Sequence, residues 1–228
     1  MLSAILFDLD GTIVNTDPIH YQAWQQKLGN YGIEIDETFY KSRISGRLNP
    51  EIVKDILPQL SPADGEKFAD EKEAFFRELA ANLKPLNGFS ELIAWTEAHQ
   101  LQRALVTNAP RLNSEFMLDV LGIKEAFNTI VLADDCIAGK PDPAPYQVAL
   151  TKLGIHAQKA IALEDSPSGI RSAVGAGIRT IGIASTHDPK VLVEVGAFMA
   201  IPDFTSLQLW TLLNSMSEQD LSSISSTS

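Results

Sequence analysis

Cysteine is almost absent: Cys136 stands alone in 228 residues. A lone thiol excludes an internal disulfide and suits a reducing compartment, so a cytoplasmic setting is expected. Cys136 itself reads as a small, buried or half-buried packing residue. Cations are also scarce: 18 Lys and Arg face 29 Asp and Glu, for a net charge of −11. That balance excludes nucleic acid and anionic membrane as main partners. An acidic chain that handles an anion must gather its few cations locally or recruit a metal. Long apolar runs are missing too. The stretch over residues 4–9 is far short of the ~20 residues a membrane span needs, and charge follows it at once. Internal repeats are absent. Hydrophobic residues make up 45%, ordinary for a globular protein and enough for one large domain or a domain with an insert.

The chain divides by its periodicity. Ala4 to Phe7 is an apolar run that reads as a buried parallel strand. Pro18 at a first helical turn predicts a helix to about residue 28. Asp36, Asn49-Pro50 and Ser61-Pro62 open three more, and the aromatics of the last recur at helical spacing as core. Residues 16–83 thus form an all-helical insert, or cap. After Pro85-Leu86-Asn87-Gly88, strands and helices alternate: strands near 103–106, 129–132, 160–163, 180–183 and 198–201, with helices between them and one at 206–213. This order implies an α/β core of residues 1–15 and 84–216, a Rossmann-like parallel sheet with helices on both faces. Residues 217–228 hold six serines in twelve positions and read as a disordered tail.

Four strands end in polar residues: Asp8 and Asp10; Thr107 and Asn108; Asp134 and Asp135, leading to Lys140; and Glu164 and Asp165. In a parallel sheet those ends share one edge, where ligands bind. Asp8 and Asp10 alone are ambiguous. Spaced i, i+2 they point to one side and could share a cation, but Asp-Gly is also a common turn. With the other groups the set describes a site for a metal-bound phosphate. The carboxylates would hold Mg²⁺, one ion per site. The Thr107 hydroxyl would bind a phosphoryl oxygen, and Lys140 and the metal would offset its charge. Asn108, beside Thr107, is a candidate phosphate contact.

Phe7-Asp8-Leu9-Asp10-Gly11-Thr12 resembles the first signature of the haloacid dehalogenase superfamily. Ala104 to Asn108, Gly139-Lys140-Pro141-Asp142 and Ile161 to Ser166 fit the later signatures in order. The resemblance implies that Asp8 is the nucleophile that forms an aspartyl-phosphate. Asp10 would be the general acid and base, and its backbone carbonyl a metal ligand. Lys140 would orient Asp8 and bind phosphate. Asp165 would bind the metal directly, and Glu164 directly or through water. Haloacid dehalogenases lack an acidic residue at the Asp10 position and phosphonatases carry a small one, so phosphate monoester chemistry fits best.

The cap should set specificity. Thr16 and His20 lie one helical turn apart. Ser45-Gly46-Arg47 resembles the substrate loop of the β-phosphoglucomutase-like branch, where an arginine contacts the distal part of the substrate. Lys72 falls where that branch often has a cap lysine, although His20 and Lys72 read equally as solvated helix face. Arg111 follows the Thr107-Asn108 loop as a candidate for the mouth of the site. The expected function is an Mg²⁺-dependent phosphatase acting on a small phosphorylated metabolite, a sugar phosphate or phosphoglycolate-like ester. The chain is expected as a monomer, with a weak homodimer as the alternative. A β-phosphoglucomutase-type mutase is the rival enzyme, and a catalytically idle binding module the rival outside enzymes.

Overall fold

The computed structural model describes residues 1–225, with side chains as far as residue 216. By its internal contacts the chain forms two compact units: residues 1–15 with 84 onward, and residues 16–83.

The first unit is built on six strands, β1 (Ala4–Phe7), β2 (Gln102–Thr107), β3 (Thr129–Leu132), β4 (Ala160–Glu164), β5 (Arg179–Ile183) and β6 (Met199–Ile201). They form one sheet in the order β3-β2-β1-β4-β5-β6, and every pairing is parallel. The expected α/β class and Rossmann-like sheet are what is found. β1 lies between β2 and β4, so the chain crosses to one side of β1 and later to the other. The carboxyl end of β1 is therefore the switch point where open α/β sheets bind ligands.

Alternation along β1 divides its side chains between two layers. Ala4 and Leu6 pack on one face with Ala104, Val106, Ala160 and Ala162. Such short side chains let a helix approach closely, and Tyr146, Ala149, Leu150 and Leu153 fill that layer. On the other face the Phe7 ring meets Phe89 and Phe127 edge-on, at 6.0 and 5.8 Å. Four-residue strands buried on both sides take their order from these contacts, since hydrogen bonding alone is worth only about 1 kcal/mol net per bond.

The second unit holds α1 (Asp17–Gly29), α2 (Glu37–Arg43), α3 (Asn49–Ile56) and α4 (Pro62–Leu79). Asp36 caps α2 by accepting from Phe39 N at 2.7 Å, and Ser61 caps α4 by accepting from Asp64 N at 3.2 Å. Trp24, Leu28, Tyr40, Ile52 and Phe68 are among its buried residues, so it has a core of its own.

The first unit continues with α5 (Phe89–Ala98), α6 (Arg111–Leu121), α7 (Ala144–Leu153), α8 (Pro167–Gly175), α9 (Pro189–Glu194) and α10 (Leu207–Ser225). Two features depart from expectation. The six-residue helix α9 was not foreseen; it is started by Asp188, whose side chain accepts from Lys190 N. α10 continues past residue 213 into the serine-rich segment. The disordered tail expected over 217–228 therefore has a helical backbone to Ser225, and residues 226–228 lie outside the described residues. Extending an existing helix avoids the cost of nucleating one, so serines can be carried along. Among the described residues no helix is long and apolar enough to cross a membrane.

Candidate active site

Asp8 is the first residue after β1, tied to the sheet by its N–H, which donates to Leu163 O at 3.0 Å. Thr107 ends β2 and Glu164 ends β4, with Asp165 next. All four are buried. Gly11 turns the chain at φ +81°, and a Cβ there would lie 2.1 Å from Asp165 Oδ2. This position therefore needs glycine both for its backbone and for the carboxylate beside it.

Lys140 comes from the loop after β3 and is also buried. Its ammonium donates to Asp8 Oδ1 at 2.6 Å, Glu164 Oε1 at 2.5 Å and Val106 O at 2.7 Å. Those bonds use all three of its N–H donors. The loop is held by Asn108, whose amide donates to Lys140 O and accepts from Lys140 N, both at 3.0 Å. The structure thus places Asn108, read as a phosphate contact, as a clasp on the Lys140 backbone. Thr107 Oγ1 accepts from Ala109 N at 2.9 Å, which turns the chain after β2.

Three buried carboxylates around one ammonium leave a formal charge of −2. Burial pushes the Asp8 carboxyl up; Lys140 opposes this, Glu164 and Asp10 add to it, and the group settles at about 7. Burial also raises Asp165 well above the usual carboxylate range, helped by Asp8 and Glu164 and opposed by the Thr186 hydroxyl and Lys140. Burial would lower Lys140, but Asp8 and Glu164 outweigh it and hold the ammonium charged.

The carboxylates are short of positive charge. One oxygen from each of Asp8, Glu164 and Asp165 lies within 4.8 Å of the other two. Glu164 Oε2 is buried and has no hydrogen-bond partner. An unpaired buried carboxylate oxygen is costly, and hard oxygen donors at this spacing fit a divalent cation. The Asp10 side chain is not part of this set; the resemblance assigned that position through its carbonyl.

In the helical unit Lys72 is 2% exposed, which overturns its reading as solvated helix face. Its ammonium donates to Glu73 Oε1 at 2.7 Å, approaches His20 Nδ1 at 3.1 Å and lies 5.0 Å from the centre of the Trp24 ring. The His20 ring stacks on Phe76. A lysine stem can be buried where its head finds such partners. Thr16 caps nothing by its side chain, although its carbonyl accepts from His20 N at 3.0 Å. Arg47 pairs with Asp55 at 2.8 Å and donates to Arg43 O at 2.7 Å. Arg111 pairs with Asp135 at 2.5 Å.

Sequence reasoning missed three contributors. Tyr146 donates to Glu164 Oε1 at 2.6 Å, Thr186 donates to Asp165 Oδ2, and Ser185 donates to Gly11 O. Tyr146 reads as an ordinary core aromatic of α7. Ser185 and Thr186 read as loop residues after β5, and no spacing marks any of the three.

The sheet order, the strand-end carboxylates and the buried lysine define a hydrolase of the Rossmann-like α/β type, with a buried acidic cluster that could hold a metal ion. The chain matches the haloacid dehalogenase-like hydrolase family over residues 5–183 and belongs to it. It is 30% identical over 210 residues to validoxylamine A 7'-phosphate phosphatase of Streptomyces hygroscopicus subsp. limoneus, covering 91% of this chain and 97% of that one. Identity to the phosphorylated carbohydrates phosphatase of Thermotoga maritima is 30% over 203 residues, 86% of this chain and 92% of that one. The structure of β-phosphoglucomutase from Clostridium difficile superposes with a TM-score of 0.82 at 25% identity, covering 97% of this chain and all of that one.

Proposed function

We propose that this chain is an Mg²⁺-dependent phosphatase that hydrolyses a small phosphate monoester, a sugar phosphate or phosphoglycolate-like ester, through an aspartyl-phosphate on Asp8. The observation that carries this reading is the Lys140 ammonium bridging Asp8 and Glu164 at the switch point, beside a carboxylate oxygen with no partner.

An Asp8 carboxylate oxygen attacks phosphorus as the bond to the leaving oxygen breaks. Asp10 gives that oxygen a proton, so an alcohol departs. Water then attacks the phosphoryl group while Asp10 takes the proton back. The phosphorus bond to Asp8 breaks, and inorganic phosphate leaves with Asp8 restored. Lys140 holds Asp8 in line with its own donors fully engaged, and the Thr107 hydroxyl would bind a phosphoryl oxygen. Asp8, Glu164 and Asp165 would hold Mg²⁺, with the Asp10 carbonyl a further ligand. When bound, the ion would supply the charge that keeps Asp8 ionised and offsets the phosphate. In the helical unit we assign substrate contacts to Thr16, His20, Arg47 and Lys72, of which Arg47 would have to leave Asp55. Asn108 acts through Lys140.

The mutase reading draws support from the likeness to β-phosphoglucomutase, but both curated relatives described above are phosphatases. The test is phosphate release from a panel of sugar phosphates and phosphoglycolate, with Mg²⁺ and with EDTA. Release that needs Mg²⁺ is expected. Full turnover in a chelated sample refutes the mechanism. Isomerisation of β-glucose 1-phosphate much faster than phosphate release would establish the mutase instead.

A further inference from the structure

Tyr146 lies in the first turn of α7 and is fully buried. For packing alone phenylalanine would serve, since the ring lies in an apolar layer with Leu150 and Leu153. A buried phenol needs a partner for its hydroxyl. That partner is Glu164 Oε1, at 2.6 Å. The same oxygen receives Lys140 Nζ at 2.5 Å, and that ammonium lies 5.3 Å from the centre of the Tyr146 ring. Glu164 therefore has one oxygen with two donors and one, Oε2, with none. The Glu164 carboxylate lies so close to Gly169 that a Cβ there would come within 1.8 Å of Oε2, so glycine at this position is what admits the carboxylate.

We propose that Tyr146 is a positioning residue for the cation site: its hydroxyl, with Lys140, occupies Glu164 Oε1, fixes the carboxylate plane and reserves Oε2 for the metal. This rests on the reading that Asp8, Glu164 and Asp165 hold Mg²⁺. A carboxylate held by two donors from different elements, the loop after β3 and helix α7, cannot rotate about its last bond without losing one of them. The hydroxyl thus removes freedom that the metal would otherwise have to remove. Partners behind a metal ligand are commonly worth 10–100-fold in affinity.

The test is Tyr146→Phe, which deletes one oxygen and keeps the ring. Mg²⁺ binding is measured by calorimetry on wild type and variant, and melting is followed in EDTA and in saturating Mg²⁺. We expect the variant to bind Mg²⁺ about 10-fold more weakly and to gain less thermal stability from Mg²⁺ than wild type. The Mg²⁺ concentration for half-maximal phosphate release should rise, while kcat at saturating Mg²⁺ is largely kept. In a Glu164→Gln background the same substitution should change Mg²⁺ affinity little, because its effect passes through that carboxylate. A hydroxyl with a merely structural role would lower the melting temperature equally in EDTA and Mg²⁺ and leave affinity unchanged. That result overturns the proposal alone. A wild-type chain that binds no Mg²⁺ overturns the metal reading and this proposal with it.

Discussion

Asp8→Asn should abolish turnover and, in the absence of metal, stabilise the fold. Asp8 is buried with its carboxyl at about 7, against about 3.9 in an unfolded chain. Between those pH values the folded chain binds the proton more tightly than the unfolded chain. Stability therefore falls as pH rises from about 4 to about 7, then levels off. A displacement of about three pH units corresponds to at most about 4 kcal/mol. Asparagine avoids that loss because it never ionises, and its Oδ1 can still accept from Lys140, which now lies 2.6 Å from the carboxylate. The gain should be small at pH 5 and approach the full value at pH 8. At roughly 2–4 °C per kcal/mol, this is on the order of 10 °C. The assay is thermal melting of both chains in EDTA at pH 5 and pH 8, repeated with Mg²⁺. Added Mg²⁺ should close the gap by stabilising wild type more than the variant. A variant that melts at or below wild type at pH 8 refutes the argument, as does a difference that does not grow with pH.

Three further outcomes are expected. Asp10→Asn should slow release from alkyl phosphates far more than from p-nitrophenyl phosphate, whose leaving group needs little protonation; equal losses would remove Asp10 as the acid of the first step. Thr12→Val should leave stability unchanged or raise it by about 1 kcal/mol, because Thr12 Oγ1 is buried without a partner and the exchange keeps the shape; denaturant melts decide, and a loss above that size means the hydroxyl is bonded in solution. Burial would raise Glu73, but Lys72, His20 and Asn49 outweigh it and hold the carboxyl at about 2. Its contribution, roughly 3 kcal/mol at most, should be present above pH 5 and lost as pH falls towards 2, so Glu73→Gln should flatten the acid end of the stability profile.

The legible part of this chain is the part that repeats a local rule. β1 could be read because four apolar residues run directly into Asp8, and the alternation after residue 84 implied a parallel sheet. The strand-end residues could be listed as candidates because a parallel sheet gathers its carboxyl ends on one edge. What stayed hidden depends on where α7 and the loop after β5 come to rest. Tyr146 is 18 residues from Glu164 and Thr186 is 21 from Asp165, and no periodicity links either pair. Lys72 stays open in the sequence, between substrate contact and solvated helix face, for a related reason. One charged residue among many on a charged helix looks solvated until Glu73, His20 and Trp24 are found around its head.

That contrast bears on how the site works. The sequence exposes the groups that would react, because each sits at the end of a strand. The groups that hold them come from elements whose placement is set by packing. Lys140 uses all three donors on protein oxygens, so it serves as a clamp before any substrate arrives. Its loop is clasped by Asn108, and its Glu164 partner is shared with Tyr146. Preorganised charge of this kind costs no rearrangement when a phosphoryl group arrives. It also leaves an excess of buried negative charge that the protein's own cations do not match, and this is the physical argument for the divalent cation proposed above. The same imbalance that should make Asp8→Asn more stable is what the active chain retains in order to react.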